Sequence, residues 1–232
     1  MVATSPFTIG LLLFPNLTQL DLTGPWEVFA RMPNVNNYLI WKDRQPVMSD
    51  RGLAVVPTMT FDDCPQLDLI CIPGGPGQIA LMEDDETLDF VRRMAENAKW
   101  VTSVCTGSLV LGAAGLLQGY RATSHWGSLD QLSLLGATPV AERVVRDRNR
   151  ITGAGVTSGI DFALTVAEEL LGRETAENIQ LQMEYDPAPP FHSGSPRSAS
   201  PERLAEAQIQ MQDFIARRRA ATESAAARLK RG

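Results

Sequence analysis

One cysteine stands at a junction between two residue patterns. The β-branched run at residues 101–104 ends at Cys105, and a run rich in helix-forming residues begins a few positions later. Between them lie Thr106, Gly107 and Ser108, small residues that suit a tight strand-to-helix turn. A thiol at the positive end of a helix, beside backbone N–H groups, has a depressed pKa and reacts as the thiolate. The pattern predicts a nucleophilic cysteine at a nucleophile elbow, although a buried structural cysteine in a core strand is the competing interpretation.

Asp21 is the best candidate for a group that exchanges protons with this thiol. It follows the first predicted strand by several residues, in Q-L-D-L-T-G-P-W-E, where the first helix begins. A carboxyl group beside a thiol can relay a proton if burial keeps its pKa high enough. An aspartate at this position can equally be a helix-initiating residue, and the chemistry alone leaves both roles open. Glu27, on the same helix, is expected to be a solvated or capping carboxylate.

The histidine count argues against metal chemistry and against a Cys-His protease. The chain has two histidines: His125, which could approach the site but is more simply a structural residue, and His192, in a proline-rich stretch. Without a Cys/His cluster, no metal site is expected. The glycine-rich run at residues 153–158 departs from a dinucleotide fingerprint, since its sixth position is Ser158, and is interpreted as close strand–helix packing. We therefore expect no cofactor.

Composition and charge limit the class of protein. With 232 residues, of which 44% are hydrophobic and 21% charged, the chain resembles an ordinary globular protein with one main domain. Three cysteines without a C-x-x-C motif indicate reduced thiols and a cytoplasmic location. The apolar run at residues 9–14 is too short for a membrane span and lacks the basic residues of a secretory signal. The last 36 residues hold eight basic and four acidic residues, so residues 1–196 carry 13 basic and 23 acidic. This acidic body is a poor nucleic-acid surface.

Predicted strands and helices alternate along the first 185 residues. The strands are expected at residues 8–14, 38–41, 53–56, 67–72, 101–105, 121–124, 140–145 and 150–152. The helices are expected at residues 23–31, 78–82, 86–98, 107–114, 127–135, 156–171 and 174–185. Buried apolar strands that alternate with helices predict an α/β fold, with a mainly parallel sheet covered on both faces. Ligands in such folds bind beyond the carboxyl ends of the strands, where Cys105 and the Gly74-Gly75 turn both lie.

The C-terminal part, residues 186–232, is predicted to be a separate extension of a 1–185 domain. Residues 186–201 include five prolines and four serines, typical of a linker or an extended arm. Apolar residues then recur at helical spacing, which predicts one or two helices that pack on the body of the chain or on a second subunit. These residues are Leu204, Ala207, Met211, Phe214 and Ile215. Because a complete α/β domain offers no evident place to bury this stripe, we expect a homodimer.

Several segments together resemble a known superfamily. The run V-C-T-G-S-L-V-L-G-A-A-G-L-L, the later R-A-T-S-H-W, the upstream D-L-T-G-P and the intervening I-P-G-G resemble the ThiJ/PfpI superfamily, which is class I glutamine amidotransferase-like. Asp21, the Cys105-Thr106 pair and residues 185–191 resemble the isonitrile hydratases, which add water to isonitriles to give N-substituted formamides. The resemblance implies a flavodoxin-like fold, usually dimeric. It also implies a Cys105 nucleophile that forms a thioimidate and an Asp21 acid/base, with no metal or organic cofactor.

The same resemblance points to substrate-binding residues and leaves two other functions open. Because Pro76 has no N–H, a backbone donor from the glycine turn must come from Gly75 or earlier, so Gly75 and Thr106 are predicted to bind the substrate or an oxyanion. A redox-stress protein or holdase, with Cys105 as oxidation sensor, would use the same reactive thiol. A ligand-sensing module related to transcriptional regulators shares the core, although the residues after Tyr185 are expected to be too few for a paired DNA-binding unit.

Overall fold

A seven-stranded sheet lies at the centre of the molecule, in a computed structural model that describes residues 5–231. In chain order the strands are Phe7–Leu12 (β1), Val35–Trp41 (β2), Val47–Met48 (β3), Ala54–Val55 (β4), Met59–Thr60 (β5), Leu69–Ile72 (β6), Trp100–Val104 (β7), Arg121–Ala122 (β8), Thr138–Pro139 (β9), Val144–Asp147 (β10) and Arg150–Gly153 (β11). The order across the central sheet is β10-β11-β7-β6-β1-β2-β5. All neighbours pair in parallel except β10 and β11, while β3–β4 and β8–β9 form two small separate sheets.

Helices cover the sheet in two groups. They are Gln19–Phe29 (α1), Gln78–Leu81 (α2), Asp85–Asn97 (α3), Gly107–Ala113 (α4), Ser158–Leu171 (α5), Arg173–Gln182 (α6), Pro201–Leu229 (α7) and a 3₁₀ helix, Trp126–Leu135. Helix α1 packs on α5, and α5 on α6, whereas α2, α3, α4, α7 and the 3₁₀ helix contact one another. The α/β, flavodoxin-like fold class is therefore confirmed. Within residues 5–231, no helix has the length and apolar character needed to cross a bilayer.

The central strands are buried because their residues are apolar on both faces. Strand β6, with the sequence L-I-C-I, is buried at every position, and β7 is buried from Val101 onward. A strand buried on both faces needs helices above and below it, which βαβ connections supply. Since β1, β6 and β7 are neighbours in parallel, their carboxyl ends reach the same edge of the sheet. The segments that follow these three strands contain Asp21, Gly74 and Cys105.

Two local predictions differ from the structure in ways that affect the site. Helix α1 begins at Gln19, earlier than expected, so Asp21 lies within its first turn and Pro25 lies in its interior. Proline is tolerated there at the loss of one backbone hydrogen bond, since it has no N–H to donate to the Asp21 carbonyl. The strand expected at residues 140–145 begins only at Val144 and forms an antiparallel hairpin with β11.

The C-terminal extension consists of an exposed arm and one long helix. The arm starts at Tyr185, whose hydroxyl donates a hydrogen bond to Asp161 Oδ2 (3.0 Å), and it ends at Ser200, whose side chain caps α7. The second half of α7 packs on the 3₁₀ helix and on α4, and Ala225 is completely buried. The extension therefore contributes to the same hydrophobic core as the preceding residues. The domain boundary at residue 185 stays a prediction.

Candidate active site

Cys105 occupies a strained turn between β7 and α4. Its φ angle is +56°, in the left-handed region that non-glycine residues rarely adopt. Three hydrogen bonds hold the turn: the Cys105 N–H donates to the Gly153 carbonyl (3.0 Å), and the hydroxyls of Ser108 and Ser124 each donate to the Cys105 carbonyl (3.1 Å). The predicted elbow is present, and the surrounding structure fixes the direction of the thiol.

Asp21 lies beside this thiol and is completely buried. Its Oδ2 accepts a hydrogen bond from the Gly74 N–H (3.0 Å), while its Oδ1 accepts none from the part of the chain that the structure describes. The Cys105 thiol is a close neighbour, since the two side chains shift each other's pKa. Burial raises the pKa of Asp21 to about 7, and the charge of Asp50 adds to the rise. Near neutral pH, Asp21 can therefore both accept and donate a proton.

The prediction that the Cys105 pKa is depressed is wrong for the resting site. Burial, followed by the negative charge of Asp21, raises the pKa of the thiol well above its ordinary value. The Thr106 N–H and the positive charge of Arg218 act in the opposite direction but are weaker. Helix α4 has only seven residues, so desolvation outweighs the field at its N-terminus. Cys105 is consequently a neutral thiol until a proton acceptor removes its hydrogen.

The glycine turn after β6 closes the site against Cys105 and Asp21. A Cβ atom on Gly74 would lie 2.6 Å from Thr106 N and 2.8 Å from Asp21 Oδ2, so only glycine fits at this crossing. Gly75 has a φ of +131°, and its N–H donates to Thr106 Oγ1 (3.2 Å). Gly75 and Thr106 both line the cavity beside Cys105, as the predicted substrate-binding role requires. The Gly75 amide nevertheless already has a protein acceptor.

The cavity at Cys105 is small, and the C-terminal helix forms about a third of its wall. Its volume is about 180 Å³, below the usual range of roughly 300–1,000 Å³ for ligand pockets. Met211, Phe214 and Ile215 of α7 form its apolar side. Of the two packing partners expected for this helix, the body of the same chain and a second subunit, these three residues contact the body, where they line the cavity of their own chain.

Arg218 is the site residue that the sequence pattern did not reveal. It lies on α7, is only 5% exposed, and lines the same cavity as Cys105. Its Nε donates to Gln78 Oε1 and its Nη1 to Ser128 Oγ, both at 2.7 Å. The only sequence signal was helical spacing, since Arg218 comes one turn after Phe214 and packs on its ring. Arg217 and Arg219 flank it, so the local sequence alone does not distinguish Arg218 from surface arginines.

Of the two histidines and Glu27, only His125 lies at the cavity. His125 lines the cavity, and its Nδ1 accepts a hydrogen bond from the Gly127 N–H (3.2 Å). Burial and the charge of Arg218 lower the His125 pKa to about 4, so its ring is neutral near pH 7. His192 lies in the exposed arm, and Glu27 forms an exposed ion pair with Arg31. Within residues 5–231, no three His, Cys, Asp or Glu side chains are grouped to hold a metal ion.

A family model, a relative of known function and a solved structure all match this chain. The model of the DJ-1/PfpI family matches residues 8–169. A curated isonitrile hydratase from Pseudomonas putida is 59% identical over 221 residues, which cover 95% of this chain and 97% of that protein. A crystal structure of a ThiJ/PfpI family protein from Pseudomonas syringae has a TM-score of 0.92 at 46% identity, covering 94% of this chain and 90% of the other. The HTH-type transcriptional regulator GbdR from Pseudomonas aeruginosa is 29% identical over 78% of this chain and 52% of the regulator.

Proposed function

The chain belongs to the DJ-1/PfpI family, and from this premise we propose that it is an isonitrile hydratase. Identity of 59% to the Pseudomonas putida enzyme extends over nearly the whole of both chains. The observation that carries the proposal is the buried pair of Cys105 and Asp21, in which a nucleophilic sulfur lies beside a carboxyl whose pKa is about 7. Hydration of an isonitrile needs both a nucleophile and a group that moves protons to carbon and nitrogen.

The first half of the reaction forms a covalent thioimidate. An isonitrile carbon carries a lone pair and becomes electrophilic as that lone pair takes up a proton. The Cys105 thiol gives its proton to the Asp21 carboxylate while sulfur bonds to the isonitrile carbon. Asp21 then passes the proton to the same carbon, and the N–C triple bond becomes a double bond. Because the thiol starts protonated, Asp21 is required as the base that creates the nucleophile.

The second half hydrolyses the thioimidate. Water adds to the former isonitrile carbon, giving one proton to Asp21, and Asp21 delivers a proton to nitrogen. The tetrahedral carbon then forms its C=O bond, the C–S bond breaks, and the sulfur leaves with the hydroxyl proton as the Cys105 thiol. The products are an N-substituted formamide and the starting enzyme. These steps use only water and groups of this chain.

Gly75 and Thr106 hold the reacting pair in position in this proposal. The Thr106 N–H acts on the Cys105 sulfur, which favours its negative form as the C–S bond breaks. The Thr106 hydroxyl accepts from the Gly75 N–H, which ties the glycine turn to the elbow turn. Since the Gly75 amide is already used in this contact, Gly75 contributes to the shape of the cavity and Thr106 contributes the charge-stabilising donor.

The two alternative functions find less support in the geometry. An oxidation sensor needs a thiolate that reacts with peroxide, whereas burial raises the pKa of Cys105 well above its ordinary value. The similarity to the regulator GbdR extends over about half of that protein and at lower identity than the similarity to the hydratase. A ligand-sensing role would also leave the Cys105–Asp21 pair without chemistry to perform.

The proposal includes a homodimeric assembly and a cytoplasmic location. Two large apolar side chains of the C-terminal extension are exposed to solvent, Phe191 at 79% and Ile209 at 72%. They support a homodimer because a second copy of the chain would bury them. A reducing, cytoplasmic location is supported by the three cysteines, all of which have free thiols. No nucleic-acid partner is proposed, because the charge of residues 1–196 is strongly negative.

The direct test is formamide production from a simple isonitrile. Purified protein is incubated with cyclohexyl isocyanide, and N-cyclohexylformamide is measured over time beside a Cys105→Ala variant. Formamide that depends on both enzyme and Cys105 supports the proposal. Substrate that stays unchanged with the parent protein, across a panel of alkyl and aryl isonitriles, would overturn it.

A further inference from the structure

A buried cation without a counter-ion faces the cavity. Arg218 is 5% exposed, and an arginine side chain keeps its charge in proteins. Its hydrogen-bond partners, Gln78 and Ser128, are both neutral, and within residues 5–231 no carboxylate forms an ion pair with it. A buried charge in such surroundings is unfavourable unless hydrogen bonds or an anion compensate it. The Arg218 side chain is therefore suited to bind an anionic group that enters the cavity.

One nitrogen of the guanidinium remains available for a ligand. Nε and Nη1 donate to Gln78 and Ser128, whereas Nη2 has no acceptor in the described part of the chain and is not completely buried, and the residue lines the cavity. The Phe214 ring stacks on the guanidinium, with 4.4 Å from Cζ to the ring centroid. Two hydrogen bonds and one stacking contact thus fix the group with one edge free.

Within residues 5–231, no side chain forms an ion pair with Arg218. The Cys105 thiol is neutral, because burial raises its pKa. Asp50 faces the cavity from the loop after β3, yet it acts on the pKa of Asp21 and not on that of Arg218. The charge of Cys105 acts on the Arg218 pKa, and the charge of Arg218 lowers the pKa of His125, so the guanidinium lies near both side chains.

We propose that Arg218 is a substrate-binding residue that selects isonitriles carrying a carboxylate close to the isonitrile group. The proposal rests on the hydratase function stated above and names the substrate class. A carboxylate is planar and accepts hydrogen bonds from a guanidinium edge. The cavity volume of about 180 Å³ suits a small molecule. In this arrangement the carboxylate binds Nη2, the carbon atoms contact Phe214 and Ile215, and the isonitrile carbon lies at Cys105.

The test compares two substrates that differ in one charge. Isocyanoacetate is anionic, and methyl isocyanoacetate is neutral and slightly larger; hydration gives N-formylglycine and its methyl ester. For the parent protein we expect a higher kcat/KM for the acid. In Arg218→Gln the ratio of kcat/KM, acid over ester, should fall about 10- to 100-fold, the usual value of a hydrogen bond to a charged group. The loss should appear mainly in KM, and Arg218→Lys should recover part of it.

A matched control separates local from general effects of charge. Arg217→Gln removes the same charge from the next position of α7, where the side chain is exposed and does not line the cavity. It should leave the acid-to-ester ratio unchanged. A parent enzyme that prefers the ester would overturn the inference. Equal loss of activity on both substrates in Arg218→Gln would also overturn it, and would indicate that Arg218 acts on the Cys105 sulfur and not on the substrate.

A second measurement does not depend on isonitrile chemistry. In a Cys64→Ala background, the rates at which iodoacetate and iodoacetamide alkylate Cys105 compare an anionic with a neutral reagent of similar size. Arg218→Gln should lower the iodoacetate-to-iodoacetamide ratio at least 10-fold, and Arg217→Gln should not. If the ratio falls but no isonitrile is hydrated, the anion site stands and the proposed hydratase function fails. If hydration occurs and the ratio does not change, the function stands and the anion site fails.

Discussion

Two weak acids lie side by side under the apolar wall of the cavity, and their pKa values are set by burial. Asp21 has a pKa of about 7 because a charged carboxylate is poorly solvated there, and Cys105 is a neutral thiol for the same reason. The thiol is the weaker acid of the two, so transfer of its proton to Asp21 is uphill in the resting site. The pair therefore suits a reaction in which the proton leaves sulfur as the C–S bond forms and then passes from Asp21 to carbon.

Replacement of Cys105 tests the nucleophile. Cys105→Ala and Cys105→Ser should abolish formamide production, because neither side chain can form and release a thioimidate. Cys64→Ala, at a half-buried position away from the cavity, should keep the parent rate. Product is measured by chromatography, and circular dichroism serves as the folding control. Turnover by the Cys105→Ala protein would rule out the covalent mechanism.

Replacement of Asp21 by asparagine tests the proton relay. Asparagine keeps an oxygen that can accept from the Gly74 N–H, but it cannot take a proton from the thiol. We expect kcat to fall about 10²- to 10⁴-fold, or roughly 3–5 kcal/mol of activation free energy. Asp21→Glu keeps the proton and should retain partial activity. A rate for Asp21→Asn within about threefold of the parent would reduce Asp21 to a structural residue.

The same carboxyl should make stability depend on pH. Asp21 has a pKa of about 7 in the folded protein against 3.8 as its ordinary value, so between these pH values the unfolded chain binds fewer protons. The free energy of unfolding should therefore fall as pH rises from about 4 to 7 and then level off, by at most about 4 kcal/mol from this group.

Asp21→Asn should lack that decrease, because its amide does not titrate. The measurement is urea unfolding of both proteins at pH 4.5, 6 and 8, with the difference between them as the quantity of interest. Parallel pH profiles for parent and variant would show that Asp21 has an ordinary pKa in the folded protein.

At the scale of elements, two turns on neighbouring strands meet to form the site. The turn after β6 brings Gly74 and Gly75 against the elbow turn after β7, and the first turn of α1 brings in Asp21. The Gly75–Thr106 hydrogen bond joins the two turns directly. The geometry of the proposed catalytic site therefore depends on how closely these backbone segments approach, and a single added methyl group at Gly74 would disturb it.

Gly74→Ala tests this close approach. Its Cβ would lie 2.6 Å from Thr106 N, 2.7 Å from Thr106 Oγ1 and 2.8 Å from Asp21 Oδ2, so the turns must separate. We expect a rate loss of about 10²-fold, as small displacements of reacting groups produce, and a stability loss of about 1–3 kcal/mol. Gly194→Ala, at an arm position with no atom within 4 Å, is the matched control and should change neither the rate nor the urea midpoint.

At the scale of the whole molecule, the last helix packs on α2, α4 and the 3₁₀ helix and completes the cavity. Its second half is buried and supplies Arg218, whereas its first half and the preceding arm are largely exposed. One helix thus has two environments. The buried half belongs to the core, and the exposed half is the surface that we expect to contact a second copy of the chain.

The dimer prediction concerns that exposed half. We expect the purified protein to be a dimer at micromolar concentration, and Ile209→Asp to weaken the dimer because it places a charge on the contact surface. Leu181→Asp changes an equally exposed leucine, on α6, and should leave the mass unchanged. Light scattering coupled to gel filtration measures both. A parent protein that is monomeric at these concentrations would refute the prediction.

Local patterns in the amino-acid sequence predicted most elements and the two central site residues. Strands such as β6 and β7 could be predicted because short apolar runs are typical of strands buried in the centre of a sheet. Cys105 could be identified because small residues follow it where the strand pattern changes to a helix pattern.

The order of the strands, the directions of the pKa shifts and the position of Arg218 in the site depended on the tertiary structure. Only parallel pairing of β1, β6 and β7 brings Asp21, Gly74 and Cys105 to one edge of the sheet. Desolvation follows from the packing of the whole chain, and it reversed the expected effect on the thiol. Arg218 reaches the cavity because α7 folds back over the 3₁₀ helix, a long-range contact that no pattern of neighbouring residues encodes.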